Sequence, residues 1–250
     1  MGATMKKWLN TAIIVGAMMP TLLWAQEVHK LHFNQAGKLI TNMSNVAYVR
    51  EYQVSEGQAK AQDFYYPSRK KYSDPYQVPM DQIKQFAPKL NNGILTLWHF
   101  NGQKKMVASY QNGLPHGVWI NWYIDGKKSA EMPYVRGKTE GTGARYYRNG
   151  RKESEIEFRN NLANGKWKQW YLNGALKSEV LMRNDRPVEM LSWDEKGKLL
   201  SEMVFDGEKR SGIVLDWYPS GVKRSEAIYQ NDSLISKTVW DEQGGVVEGN

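Results

Sequence analysis

The sequence predicts an all-β fold: an elongated antiparallel meander of stacked β-hairpin repeats of 23–24 residues, with a less regular N-terminal cap. First, an aromatic residue followed four places later by glycine recurs seven times, from Trp98 and Gly102 to Trp240 and Gly244. Second, five of these seven glycines complete a turn dipeptide, NG, DG or SG. Third, aromatic residues make up 12% of the chain, which favours strands over helices.

Each repeat is interpreted as a hairpin. Residues 118–124 are aromatic and β-branched, Asp125 and Gly126 form the turn, and residues 127–134 alternate in polarity. The segments between hairpins, such as 135–141, are interpreted as looser links rich in glycine and asparagine. Glycine is expected at the turn because the backbone there requires a positive φ.

The turn length decides which residues share a face of the sheet. A two-residue turn would pair Ile120 with Glu131. A three-residue loop with Gly126 in the left-handed conformation would pair Ile120 with Ala130, and we favour it because it gathers the apolar columns into one stripe. One face then carries Ile120, Trp122, Ala130, Met132 and Tyr134. The opposite face carries Trp119, Tyr123, Ser129 and Glu131.

The chain divides into three parts. Residues 1–25 read as a signal peptide: Lys6 and Lys7 precede an apolar run, and cleavage is expected between Ala25 and Gln26. The alternative is an uncleaved membrane anchor, and no later stretch could span a bilayer. Residues 26–92 are predicted to form the N-terminal cap with degenerate repeats, and residues 93–250 form seven repeats. The protein is therefore predicted to be exported, to the periplasm or outside the cell.

The repeat resembles the bacterial variant of the MORN repeat, whose pattern is of the type G-x-W-x-x-Y-Y-x-N-G-K-x-x-x-E. Here the pattern occurs as Gly117, Trp119, Trp122, Tyr123, Gly126, Lys127 and Glu131, and again as Gly165, Trp167, Trp170, Tyr171, Asn173, Gly174 and Glu179. The resemblance covers residues 93–244 and implies a binding or spacer surface. Bacterial proteins of this group are often labelled antitoxin components of toxin–antitoxin pairs. A signal peptide would separate this chain from a cytoplasmic toxin, so only an immunity-like role towards an exported toxin fits.

Two sets of residues are candidates for function. Large aromatic side chains on an otherwise polar face suggest a binding surface, and burial under the cap is the alternative. The candidate binding residues are Trp119, Tyr123, Tyr147, Trp167 and Tyr171. The second set is the column Glu131, Glu155, Glu179, Glu202 and Glu226. Its members should lie two strands apart, at about 9–10 Å, near the spacing of an inverting glycosidase. A repeated residue more simply forms a charge ladder, because an acid and a base need different environments.

The sequence predicts a non-catalytic protein that binds a protein partner or envelope component, or acts as a scaffold, in the cell envelope. An immunity-like partner of an exported toxin and an envelope glycan hydrolase that uses the glutamate column are the alternatives. No cofactor motif or metal-ligand spacing is present, and cysteine is absent. The net charge of +8 is spread along the chain, so neither a nucleic-acid patch nor a nucleic-acid partner is predicted.

Overall fold

A computed structural model describes residues 27–249, which form two antiparallel β-sheets. The predicted signal peptide and its cleavage site lie outside the described residues. The first sheet has five strands in the order β2-β1-β3-β4-β5, and a single 3-10 turn, Met80–Gln82, follows them. Its strands are β1 His29–Phe33, β2 Leu39–Ile40, β3 Tyr48–Ser55, β4 Gln58–Tyr65 and β5 Tyr76–Pro79.

The second sheet has sixteen strands, and its order follows the chain. A path of fourteen strands runs from β6 to β21, while the two-residue strands β8 and β11 pair beside β7 and β10. The strands are β6 Gly93–Trp98, β7 Lys104–Gln111, β8 Leu114–Pro115, β9 Gly117–Trp122, β10 Lys128–Val135, β11 Lys138–Thr139, β12 Gly141–Tyr146, β13 Lys152–Arg159, β14 Leu162–Trp170, β15 Leu176–Arg183, β16 Arg186–Trp193, β17 Leu199–Asp206, β18 Lys209–Trp217, β19 Lys223–Gln230, β20 Ser233–Trp240 and β21 Val246–Gly249. The predicted meander of hairpins is confirmed.

The preferred three-residue loop is confirmed, because the N–H of Tyr123 donates to the carbonyl of Lys127, but the pairing expected farther along the strands is wrong. Ile120 pairs with Glu131 and Trp119 with Met132, although Trp122 pairs with Lys128. Ser129 is an extra residue between these two registers, so a β-bulge shifts one strand by one place. Gly126 is left-handed as predicted, with a φ of 85°. The bulge returns Ile120 and Trp122 to the face of Glu131, and it places Trp119 with Ala130, Met132 and Tyr134.

The links between hairpins are tight turns rather than the loose segments expected. Arg159 pairs with Leu162, so only Asn160 and Asn161 form the connection. Both residues have a positive φ, 52° and 71°, which defines a type I′ turn. Asparagine and aspartate tolerate this conformation better than other side-chain-bearing residues, and this explains their frequency in the links. Equivalent turns are Asn112-Gly113, Arg136-Gly137, Asn184-Asp185 and Asn231-Asp232.

The first sheet docks against the beginning of the second. The backbone N–H of Asp74 donates to the carbonyl of Thr96, and the N–H of Trp98 donates to that of Tyr72. These bonds cover the edge of β6, whose unpaired groups would otherwise be free to pair with another chain. The main apolar core lies at this junction and joins residues of both sheets. Its buried members are Ala59, Ala61, Tyr76, Val78, Ile83, Leu90, Leu95 and Ala108.

A buried arginine, paired with an aspartate of the same sheet, joins the first sheet to the segment that follows it. The Arg50 side chain is fully buried, and its Nε and Nη2 donate to the Asp63 carboxylate at 2.7 and 3.0 Å. Its remaining N–H groups donate to the carbonyls of Ile83, Gln85 and Phe86. The guanidinium is thereby satisfied throughout, as a charge in a core must be.

Candidate binding surfaces

The second sheet has two chemically different faces. The glutamate face is defined by the row Glu131, Glu155, Glu179, Glu202 and Glu226 and by the aromatic column Trp98, Trp122, Tyr146, Trp170, Trp193, Trp217 and Trp240. The methionine face is defined by Met106, Met132, Met182, Met190 and Met203. The assignment follows from the pairing of the strands, because residues directly opposite one another share a face. The aromatic column therefore does not belong to the apolar stripe that the sequence predicted.

On the glutamate face, three repeats build the same set of a lysine, a glutamate and an aromatic ring. The lysine Nζ lies 2.6–2.8 Å from a carboxylate oxygen of the glutamate three residues later. The same Nζ lies 5.2–5.5 Å from the centre of the aromatic ring of the following repeat, within cation–π range. The sets are Lys128, Glu131 and Tyr146; Lys152, Glu155 and Trp170; and Lys223, Glu226 and Trp240.

These contacts shift the pKa values of ionisable side chains on the glutamate face. Partial burial opposes ionisation of Glu131, but hydrogen bonds from Lys128 and Tyr146 outweigh it and lower the pKa of the carboxyl. The hydrogen bond from Lys166 lowers the pKa of Glu179 against a smaller effect of burial. Burial, with the bond to Glu131, raises the pKa of Tyr146 to about 12. Both carboxyls are therefore stabilised as anions.

The lowered pKa values of these glutamates argue against the hydrolase hypothesis. Glu131 and Glu155 each pair with Ala144, on the two strands that flank it. They therefore lie two strands apart, as the sequence predicted. A general acid needs a raised pKa, whereas Glu131 and Glu179 have lowered ones. Within residues 27–249, no group of three or more histidines and carboxylates comes together to hold a metal ion.

The three candidate tyrosines lie at the turns and link successive repeats. The hydroxyl of Tyr123 donates to the carbonyl of Tyr146 at 2.6 Å, and that of Tyr147 donates to the carbonyl of Trp170 at 2.7 Å. Tyr171 makes the same bond to the carbonyl of Trp193. The three rings are half-buried, so each leaves part of its surface accessible.

The two candidate tryptophans lie on the methionine face. The Trp119 Nε1 donates to the carbonyl of Ser109 at 3.0 Å, and its ring contacts Tyr110 and Tyr134. Trp119 also packs against the core shared with the first sheet, so it is partly covered by the cap. Trp167 lies farther along, opposite Ile156 and Val180. The five candidates therefore form two groups rather than one site.

Side chains on the methionine face pack against one another and bury part of this face. Val180, Ser178, Met203 and Ser201 are each at most 8% exposed, although the main contacts of these strands are with their neighbours in the sheet. Larger side chains of the same face must therefore cover the smaller ones. Near Trp119 a recess of about 330 Å³ remains open. Its side chains on this face include Asn121, Met132, Tyr134, Arg145, Ser154 and Ile156.

The lysines of the glutamate face were not singled out from the sequence, although a signal was present. Lys128, Lys152 and Lys223 each stand three residues before a glutamate of the column. The bulge obscured their meaning, because without it Lys128 and Glu131 would point to opposite faces.

The comparison with known families agrees with the geometry of one hairpin. A family profile described as the MORN repeat variant matches residues 163–184, which cover most of β14 and β15. No curated protein matches the chain. MORN repeats are generally non-catalytic modules that bind proteins or membranes. No helix within residues 27–249 is long and apolar enough to cross a bilayer.

Proposed function

We propose that this chain is an exported, non-catalytic binding module of the cell envelope, which presents the glutamate face of its second sheet to a protein partner. The observation that carries the proposal is the exposure of that face. Val118, Val204 and Ile228 lie on it among charged side chains and are 47%, 50% and 40% exposed. Apolar side chains left open among polar groups are typical of an interaction surface.

The construction of the sheet supports the same function. Beyond β10 its strands contact mainly their neighbours, so a long surface stays accessible. Hydrogen bonds between repeats fix the spacing of the repeated groups, and a rigid surface loses little conformational entropy when it binds. The MORN repeat variant at residues 163–184 adds the expectation of a binding module. The aromatic candidates Trp119, Tyr123, Tyr147, Trp167 and Tyr171 form a second possible contact region, tested below.

Partner capture with matched variants tests the proposal. The protein is immobilised and exposed to an envelope extract, and bound proteins are identified by mass spectrometry. Val118→Lys with Val204→Lys should abolish capture of a specific partner. Ile124→Lys with Leu172→Lys changes two apolar residues at the turns that are at least as exposed, and should leave capture intact. Equal loss from both pairs, or no specific partner, would count against the proposal.

Export is tested separately. N-terminal sequencing of the protein recovered from the periplasm or medium should begin at Gln26. A chain that retains Trp8 would contradict the signal peptide. An immunity-like role is a special case of the same function, in which the captured partner is an exported toxin.

A further inference from the structure

One region of the glutamate face lacks the lysine that three other repeats provide. Leu176 and Leu199 stand three residues before Glu179 and Glu202, where Lys128 stands before Glu131. Glu179 is compensated by Lys166 and Lys168, whose Nζ atoms lie 2.8 and 3.5 Å from its carboxylate. Within residues 27–249, no basic side chain forms an ion pair with Glu202.

The next repeat carries no lysine at the two compensating positions: one is acidic and the other is apolar. Counted back from the aromatic residue of the repeat, Lys166 and Lys168 precede Trp170 by four and two places. Glu189 and Leu191 hold the same places before Trp193. The positions whose lysines neutralise Glu179 in one repeat therefore carry an acidic and an apolar side chain in the next.

The register brings these residues together. Leu191 on β16 lies directly opposite Glu179 on β15 and Glu202 on β17. Glu189 lies two residues before Leu191 and so points to the same face. The residues enclose a recess of about 290 Å³, which Leu181 and Val204 also line. Glu189 and Glu202 are exposed, and within residues 27–249 neither carboxylate makes a hydrogen bond or ion pair.

We propose that this recess binds a lysine or arginine side chain of the partner protein, an inference that rests on the proposed function. Internal lysines already make the contacts proposed for the partner's basic side chain. Lys128, Lys152 and Lys223 each contact a glutamate and an aromatic ring on this face. An incoming basic side chain would lay its aliphatic stem on Leu191 and Val204 and place its charge between Glu189 and Glu202. Trp193, two residues beyond Leu191, supplies a neighbouring ring.

A short peptide tests the assignment without the partner. The probe is an acetylated peptide with a Lys-Leu-Lys centre, and the same peptide with a Glu-Leu-Glu centre is its control. Titration is followed through the indole N–H resonance of Trp193, which the Trp193→Phe variant identifies. This resonance should shift saturably with the basic peptide only, and more weakly at high salt. The resonance of Trp170, whose ring already lies beside Lys152, should stay in place.

Substitutions distinguish the recess from general attraction. Glu189→Gln with Glu202→Gln should weaken peptide binding at least about tenfold, equivalent to about 1.4 kcal/mol. Leu199→Lys should weaken it similarly, because it places an internal lysine three residues before Glu202. Leu199→Gln has a neutral side chain and should retain binding. Equal shifts of Trp170 and Trp193, absence of any shift, or equal binding by the two Leu199 variants would overturn the inference.

The two proposals can fail independently. If Glu189→Gln with Glu202→Gln captures the envelope partner as well as the unmodified protein does, the recess inference is wrong and the binding function stands. If the peptide binds as expected and no specific partner is captured, the proposed function is wrong. In that case the recess is a site for basic side chains without an envelope partner.

Discussion

The hydroxyl of Tyr123 donates a hydrogen bond to the backbone carbonyl of Tyr146, the aromatic residue of the next repeat, over 2.6 Å. The sequence suggested that Tyr123 contributes to a binding surface, and the structure shows that its polar atom ties two hairpins together. Tyr147, Tyr171 and Tyr218 make the equivalent bond to the repeat that follows each of them. The regular spacing of aromatic residues in the sequence thus records a connection between repeats.

Removal of one such hydroxyl should weaken the sheet. Tyr123→Phe leaves the carbonyl of Tyr146 without this donor, so the free energy of unfolding should fall by about 0.5–1.5 kcal/mol. Urea unfolding followed by circular dichroism measures the change. Tyr66→Phe is the control, because Tyr66 is 42% exposed and its hydroxyl makes no hydrogen bond within residues 27–249. Equal effects of the two substitutions would contradict the structural role.

A substitution in one type I′ turn should stabilise the protein. Arg136 has a φ of 49° at a position where Asn112, Asn160, Asn184 and Asn231 stand in other repeats. Asparagine adopts the left-handed conformation at lower cost than arginine, so Arg136→Asn should raise the free energy of unfolding by about 0.5–1 kcal/mol. The urea midpoint should rise accordingly. A lower midpoint would show that the Arg136 side chain stabilises the turn in another way.

The hairpin turns should reject a branched side chain. Gly150 has a φ of 88° and open space where a Cβ would lie, so Gly150→Val tests backbone strain without a steric clash. We expect a loss of about 1–2 kcal/mol in thermal or urea unfolding. Gly249 lies outside the left-handed region, and Gly249→Val should change stability little. Similar losses at both positions would argue against the turn assignment.

The ion pair of Glu51 should make stability depend on pH in acid. Hydrogen bonds from Arg69, at 2.9 and 3.0 Å, are the main reason that the pKa of Glu51 falls to about 2. A depressed pKa in the folded state means that the unfolded state binds the proton more tightly. The stabilisation is therefore present above about pH 4.5 and is lost as the pH falls towards 2.

Arg69→Gln isolates this contribution. Because the Arg69 side chain is 58% exposed, solvent screening keeps the difference at neutral pH small. The unfolding free energies of the two proteins should converge between pH 4.5 and 2. A difference that stays constant over this range would show that Arg69 acts through packing alone.

Replacement of the two candidate tryptophans separates binding from packing. Trp119 contacts the core at the junction of the sheets, so Trp119→Ala should cost about 3 kcal/mol and lower the melting temperature. Trp119→Phe keeps an aromatic ring and should cost less. Trp167 lies beyond that core, so the Trp167→Ala variant provides the comparison. If either alanine variant abolished partner capture with an unchanged melting temperature, that tryptophan would be a contact residue.

The period in the sequence was sufficient to predict the strands, because each turn requires a left-handed glycine such as Gly126. The sequence did not predict which residues share a face of the sheet. One bulge residue, Ser129, shifts the register, and a serine side chain is no signal for a bulge. The Asn160-Asn161 link resembled a loose segment because turn residues and loop residues share a composition. Arg50 gave no signal, because its burial depends on Asp63 and on the carbonyls of residues 83–86, distant in sequence.

The agreement between strand order and chain order has a consequence for how this protein folds. A sheet that joins segments distant in the chain folds slowly, because long loops must close before their strands can pair. Here each strand from β6 to β21 pairs with segments that precede or follow it closely. We therefore expect a rapid folding reaction with a low contact order. Each repeat can add to the edge that the preceding repeat has already formed, so folding can proceed along the chain from the first repeat.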